Sequence, residues 1–310
     1  MPLHIATPLI HSLPLSRLAG RDVWLKMESS QPSGSFKLRG IGLACERHAA
    51  RGVRRLVSSS GGNAGIAAAH AGRRLGLAVQ VFVPETTTAH AKALIEQEGA
   101  TVIVTGASWQ EANAAAQASL GANDAFIHPF DDPLLWQGHA SLIDEVAQAG
   151  LTPDAVVLAV GGGGLMLGVA EGMARAGWLG APIIAAETVG ADSLAQSVAA
   201  GHRVELPAIR SLASSLGARQ VAERAFALTR EREVRAVTVS DAQAVQACQA
   251  FLDDHRTLVE PACGAALAVV YGRLAELDDD MHEVLVVVCG GATTTAGQLA
   301  RYAQMTAAAA

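Results

Sequence analysis

The sequence predicts an α/β fold in which mainly parallel sheets are flanked by helices. Three observations carry this expectation. Short β-branched runs alternate with alanine-rich stretches almost throughout, and strands separated by helices pair in parallel. The runs Val156–Val160 and Val284–Val288 are apolar without alternation, as in strands covered on both faces. At 310 residues the chain exceeds the commonest single-core size, which fits two domains or one large α/β unit.

The elements follow in order. The first expected strand, Arg54–Ser58, runs into a helix over Asn63–Leu75, which Gly76 ends after Arg73 and Arg74. Val79–Val83 leads to His90–Glu98, and Thr101–Thr105 to Trp109–Leu120. The turn-rich Pro129–Pro133 (Pro-Phe-Asp-Asp-Pro) reads as a crossing between domains. Ala155–Val160 then precedes a helix over Leu165–Ala176. Strands Ile183–Glu187 and Val234–Thr238 are followed by helices Asp241–Phe251 and Cys263–Leu274. Val284–Val288 and a final helix run to the chain end, where Ala307–Ala310 are expected to fray and no regulatory domain is expected.

Composition narrows the function. Hydrophobic residues make up 50% and aromatics only 4%, so the core must be built from Ala, Leu and Val. A net charge of −6 argues against nucleic acid, which recruits a basic face. No long apolar run predicts a membrane span, and Met1–Leu15 lacks the pattern of a signal peptide. Cys45, Cys248, Cys263 and Cys289 show no paired spacing, and predict reduced thiols in a cytoplasmic protein.

Four segments suggest chemistry. Lys37 follows Ser33-Gly34-Ser35-Phe36 at a loop-to-helix junction, a setting for a buried amine that forms a Schiff base; the alternative is a solvated helix-start lysine. Ser58–Gly65 (Ser-Ser-Ser-Gly-Gly-Asn-Ala-Gly) follows a strand and opens a helix, so its hydroxyls and amides can cradle a carboxylate; otherwise it is a capped turn. Asn63 could reach a ring oxygen. Gly161-Gly162-Gly163-Gly164-Leu165 offers a row of amides for a terminal phosphate, without the Lys-Ser/Thr of a P-loop and without a dinucleotide fingerprint. Cys289 sits at the C-terminal end of a predicted buried strand, where ligands of open α/β sheets gather, and is either a cofactor contact or a core thiol. The histidines are scattered, with no His-Glu-x-x-His, and no Gly-x-Ser-x-Gly elbow is present. Asp131 and Asp132 read as loop residues.

With these segments placed, the chain resembles the fold-type II (tryptophan synthase β-like) enzymes of pyridoxal 5'-phosphate (PLP). It is most similar to the L-serine dehydratase (L-serine ammonia-lyase) and L-threonine dehydratase branch. The likeness rests on Leu25–Gly40, Ser58–Gly65, Pro129–Ser141, Val160–Gly168, Val259–Ala268 and Val286–Gly291. It implies that Lys37 holds the cofactor as an imine and that Phe36 packs on one ring face. Ser59, Ser60, Gly61, Gly62 and Asn63 would grip the substrate carboxylate, with Ser60 near the leaving hydroxyl and Asn63 on the ring oxygen. Gly161, Gly162, Gly163, Gly164 and Leu165 would bind the phosphate, and Cys289 would face the pyridine nitrogen. Ser215 matches the residue on the other ring face, where family members tend to carry alanine. Glu187, Ala191, Leu216 and Ala218 match positions lining a monovalent cation site, such as one for K+. Gly61 stands where the family carries alanine or glycine, a position that bears on rate and substrate preference.

The resemblance further implies two domains: residues 1–44 with 133–310, binding the cofactor, and 45–132, carrying the substrate loop. Substrate would close one on the other and exclude water. The expected reaction is β-elimination of L-serine to pyruvate and ammonia, with some conversion of L-threonine to 2-oxobutanoate, in a cytoplasmic homodimer acting on a small amino acid. Threonine dehydratase and serine racemase are the nearest alternatives. A catalytically weak amino-acid-binding protein is the alternative of a different class, opposed by the intact Lys37.

Overall fold

The computed structural model describes residues 1–273 and 276–308. The elements begin β1 (Leu9–His11), α1 (Leu13–Ala19), β2 (Asp22–Lys26), α2 (Lys37–Ala50), β3 (Arg55–Ser58) and α3 (Asn63–Leu75). There follow β4 (Ala78–Val83), α4 (Ala89–Gln97), β5 (Thr101–Val104), α5 (Trp109–Ala118), β6 (Asp124–Ile127) and α6 (Pro133–Gln148). The remainder comprises β7 (Ala155–Ala159), α7 (Gly164–Arg175), β8 (Ile183–Thr188), α8 (Ser193–Ala200), α9 (Glu223–Glu231) and β9 (Val234–Val239). Helices α10 (Asp241–His255) and α11 (Pro261–Tyr271), strand β10 (Glu283–Val287) and helix α12 (Ala296–Ala308) complete it.

The chain divides into two compact units, Met1–Ile5 with Gln31–His139 and Ala6–Ser30 with Ala140–Ala310. The boundary lies inside α6, downstream of Pro129–Pro133. That segment is the entry to a helix: Asp132 accepts the Leu134 amide at 2.8 Å, and Trp136 Nε1 donates to the Phe130 carbonyl at 2.9 Å. In this division Lys37 falls in the same unit as the serine loop, whereas the expected boundaries group it with residues 133–310.

The first unit holds a four-stranded parallel sheet in the order β5-β4-β3-β6. Its core is aliphatic, with Leu56, Val57, Val81 and Val83 wholly buried beside the alanines of α3. Small residues let helix and sheet approach closely: a methyl at Gly72 of α3 would collide with Val79 of β4. The second unit holds a six-stranded sheet, β1-β2-β10-β7-β8-β9, in which only the β1–β2 pair is antiparallel. Its central strands β7 and β8 are buried along their whole length; β7 is apolar throughout, while β8 ends in the buried Glu187 and Thr188. Helix α11 is buried from Pro261 to Val270, and Gly264 lets it pack directly on α10, since a methyl there would meet Ala244 O and Cys248 Sγ.

Every expected strand is present to within one residue at each end. The expected helices are present too, α10 running on to His255 and α11 covering Pro261–Tyr271. Leu274, the expected end of α11, and the final Ala309 and Ala310 lie outside the described residues. Missing from the sequence reading were β1, β2 and β6. Each is short, and Asp22–Lys26 carries a charge at both ends, which only strand pairing and the burial of Lys26 explain.

Candidate active site

In the first unit, Lys37 opens α2, following Phe36 in helical conformation and Gly34 with φ +75°. Its ammonium donates to the Pro129 carbonyl at 2.6 Å and lies 5.1 Å from the centre of the Phe36 ring. The Pro129 turn is shaped by His128, whose Nδ1 accepts the amides of Phe130 (3.2 Å) and Asp131 (2.7 Å). Burial holds that imidazole below its ordinary range, leaving it neutral and able to accept. Phe36 packs against His139 at 4.9 Å between ring centres. The Ser33 and Ser35 hydroxyls, close in sequence to Lys37, are buried with no partner among the described protein atoms.

The serine loop joins β3 to α3. Ser59 is fully buried and its hydroxyl donates to Asn113 Oδ1 of α5 at 2.8 Å, so that hydroxyl points into the fold. The Ser60 hydroxyl accepts the Gly62 amide at 3.4 Å. Gly62 caps α3 without a side chain, and Asn63, buried, begins the helix. The first amides of α3 have no acceptor within the helix and carry its positive dipole end, which suits a carboxylate. Gly65 is forced: a side chain there would collide with Ser60 O.

In the second unit, Gly161–Gly164 leave β7 and start α7. Gly163 has φ +92°, a left-handed backbone, and its missing side chain leaves room for Ala225 of α9. A methyl at Gly161 would lie 3.0 Å from Leu216 Cα. Leu216 ends the short turn Ser214–Leu216, so Ser215 is brought beside the glycine run, and it is exposed. Cys289 follows β10 and is buried, with Cys263 of α11 beside it. The Cys263 thiol, with burial, holds the Cys289 thiol well above its ordinary range and therefore protonated. Glu187, at the end of β8, is buried and accepts the amides of Leu194 (2.9 Å) and Ala195 (2.7 Å). Burial pushes its carboxyl up to about 8 despite those two bonds. Ala191 donates to Thr188 O at 2.9 Å, and Ala218 to Leu216 O at 2.7 Å. Among the described residues no group of three or more His, Cys, Asp or Glu side chains is gathered to hold a metal ion.

Each unit by itself offers features that fit PLP: the second has a glycine run that side chains would fill and a protonated thiol at Cys289, and the first has an amine at a helix start. Sequence reasoning missed Asn113, the Pro129 carbonyl and the Cys263 partner of Cys289. No local signal marks them, because their contacts are made at long range in the chain.

Comparison with known proteins agrees with this geometry. The family model described as pyridoxal-phosphate dependent enzyme matches residues 1–290. A serine dehydratase-like protein of Mus musculus is 49% identical over 308 residues, covering 96% of this chain and 93% of the relative. An L-serine dehydratase/L-threonine deaminase of Bos taurus is 45% identical over 308 residues, covering 96% and 94%. A fungal L-serine ammonia-lyase from Rhizomucor miehei superposes with a TM-score of 0.93 at 34% identity, covering 98% of this chain and 99% of that one. The chain thus belongs to the fold-type II family of pyridoxal-phosphate dependent enzymes.

Proposed function

We propose that this protein eliminates the β-hydroxyl of L-serine, yielding pyruvate and ammonia, and acts on L-threonine to give 2-oxobutanoate. The observation that carries the reading is likeness along nearly the whole chain to proteins described as serine dehydratases. When bound, PLP supplies an aldehyde for the substrate amine and a ring that delocalises charge developing at Cα. Lys37 would hold the cofactor through its side-chain amine, and the same amine would take the proton from Cα. The loop Ser59–Asn63 binds the carboxylate through its amides, and Ser60 assists departure of the hydroxyl. Asn63 would hold the ring oxygen, Phe36 and Ser215 would flank the ring, and Gly161–Leu165 would hold the phosphate. Cys289, protonated, would face the ring nitrogen. A neutral thiol there leaves a shallower electron sink than an aspartate would, which favours elimination over long-lived carbanion chemistry.

Glu187, Ala191, Leu216 and Ala218 are proposed to line a monovalent cation site. A dimer in the cytoplasm is the proposed setting; no helix among the described residues is long and apolar enough to cross a membrane. The deciding experiment is pyruvate release from L-serine by the PLP-loaded protein, with parallel rates on L-threonine and chiral analysis of remaining serine. Pyruvate as the main product supports the proposal. Faster turnover of threonine reassigns the protein as a threonine dehydratase, and D-serine without pyruvate as a racemase.

A further inference from the structure

The serine loop is gripped by two residues outside it. Ser59 is 0% exposed, and its hydroxyl donates 2.8 Å to Asn113 Oδ1 on α5. Gly61 is backed by Thr87, which lies between β4 and α4: a methyl at 61 would fall 2.7 Å from both Thr87 Cγ2 and Thr87 Oγ1. Thr87 is fixed in turn, its amide donating to Pro84 O at 3.0 Å, while the neighbouring Thr88 hydroxyl caps α4 by accepting the Ala91 amide. Such a loop is rich in glycine and serine and would otherwise sample many conformations. A cradle of amides binds well only when its donors already converge, since ordering them on binding reduces affinity.

We propose that Asn113 and Thr87 are positioning residues that hold the Ser59–Asn63 loop ready for a carboxylate: Asn113 takes the buried Ser59 hydroxyl, and Thr87 fills the space beside Gly61. The proposal rests on the reading of this loop as the carboxylate cradle. Neither residue touches the substrate. Both act through the loop, so their loss should appear mainly in KM.

The test compares Asn113→Ala, Asn113→Asp, Thr87→Ala, Gly61→Ala and the double variant Gly61→Ala/Thr87→Ala in the PLP-loaded protein. Two readouts are taken: amide hydrogen exchange over residues 59–65, and KM and kcat for L-serine. Asn113→Ala and Thr87→Ala are expected to speed loop exchange about tenfold. KM should rise about fivefold or more, with kcat changed less than about twofold. Asn113→Asp, which keeps an acceptor oxygen, should restore both readouts. Gly61→Ala should disturb the loop alone and be relieved in the double variant, because Thr87→Ala removes both colliding atoms. Unchanged exchange in Asn113→Ala and Thr87→Ala overturns the proposal, as does failure of Asn113→Asp to rescue. Faster exchange with an unmoved KM supports the anchoring and refutes the carboxylate reading of the loop instead. If Asn113→Ala does not fold, Thr87→Ala and the Gly61 pair decide the matter.

Discussion

Single residues carry the chemistry. Lys37 is the amine proposed to serve both the cofactor and Cα, so Lys37→Ala should abolish turnover, measured as pyruvate from L-serine. Wild-type rates in that variant would remove the proposed mechanism. His139 makes a different case. It is wholly buried, both ring nitrogens lack partners among the described protein atoms, and Phe36 packs on it. Burial first, then Lys37, Arg39 and His4, push its imidazole well below the ordinary value of 6.5, so it is neutral in the folded protein. The unfolded chain binds the extra proton below about pH 6.5. Its contribution to stability is therefore present above pH 6.5 and lost as pH falls, by at most about 1.4 kcal/mol per pH unit. His139→Leu should flatten the fall in urea midpoint between pH 7 and 5; an unchanged acid limb would show that other groups set it. The importance of Lys37 was legible in its neighbours, Ser-Gly-Ser-Phe before and a helix after. That of His139 was not, because burial of a lone histidine is decided by what packs around it.

At the scale of elements, the recurring device is a strand end, a glycine-rich turn and a helix start. It occurs at β3–α3 and at β7–α7, and each time puts a helix N-terminus at the C-terminal edge of a parallel sheet. Both turns could be read from sequence, since a glycine-rich run between a strand and a helix is a local signal. Gly163 shows why the residue type matters. Its φ of +92° and its contact with Ala225 both oppose a side chain. Gly163→Ala should lower stability by about 2–4 kcal/mol, combining backbone strain with overpacking. It should also weaken PLP binding about tenfold or more in reconstitution titrations, if the turn holds the phosphate. Wild-type affinity in a folded Gly163→Ala protein would remove the cradle from the phosphate. The short strands β1, β2 and β6 escaped the sequence reading for the converse reason: three to five residues carry too little pattern, and their pairing partners lie elsewhere in the chain.

At the scale of the whole molecule, long-range contacts tie together segments that the sequence keeps apart. Lys26, 1% exposed, donates to the Thr7 carbonyl and hydroxyl at 2.7 Å each and to Glu145, while Thr7 donates to Glu28 at 2.6 Å. Lys26→Met removes the ammonium shared by two carboxylates and should lower unfolding stability by about 3–5 kcal/mol, read from urea denaturation at neutral pH. A loss under about 1 kcal/mol would mean that the cluster relaxes around an apolar side chain. The division into units also belongs to this scale. Pro129–Pro133 leads into α6, and the division into compact units falls at His139 within that helix. The sequence by itself determined the α/β class, the order of the main strands and the two glycine turns, because periodicity and glycine runs are local signals. Only the tertiary structure decided which residues support them: Asn113 under Ser59, Thr87 beside Gly61, Cys263 against Cys289 and Lys26 among its carboxylates. Apart from Lys26 and its neighbour Glu28, each of those contacts joins residues at least 26 positions apart, and such a pairing is fixed by how helices pack on sheets, which no short stretch of chain encodes.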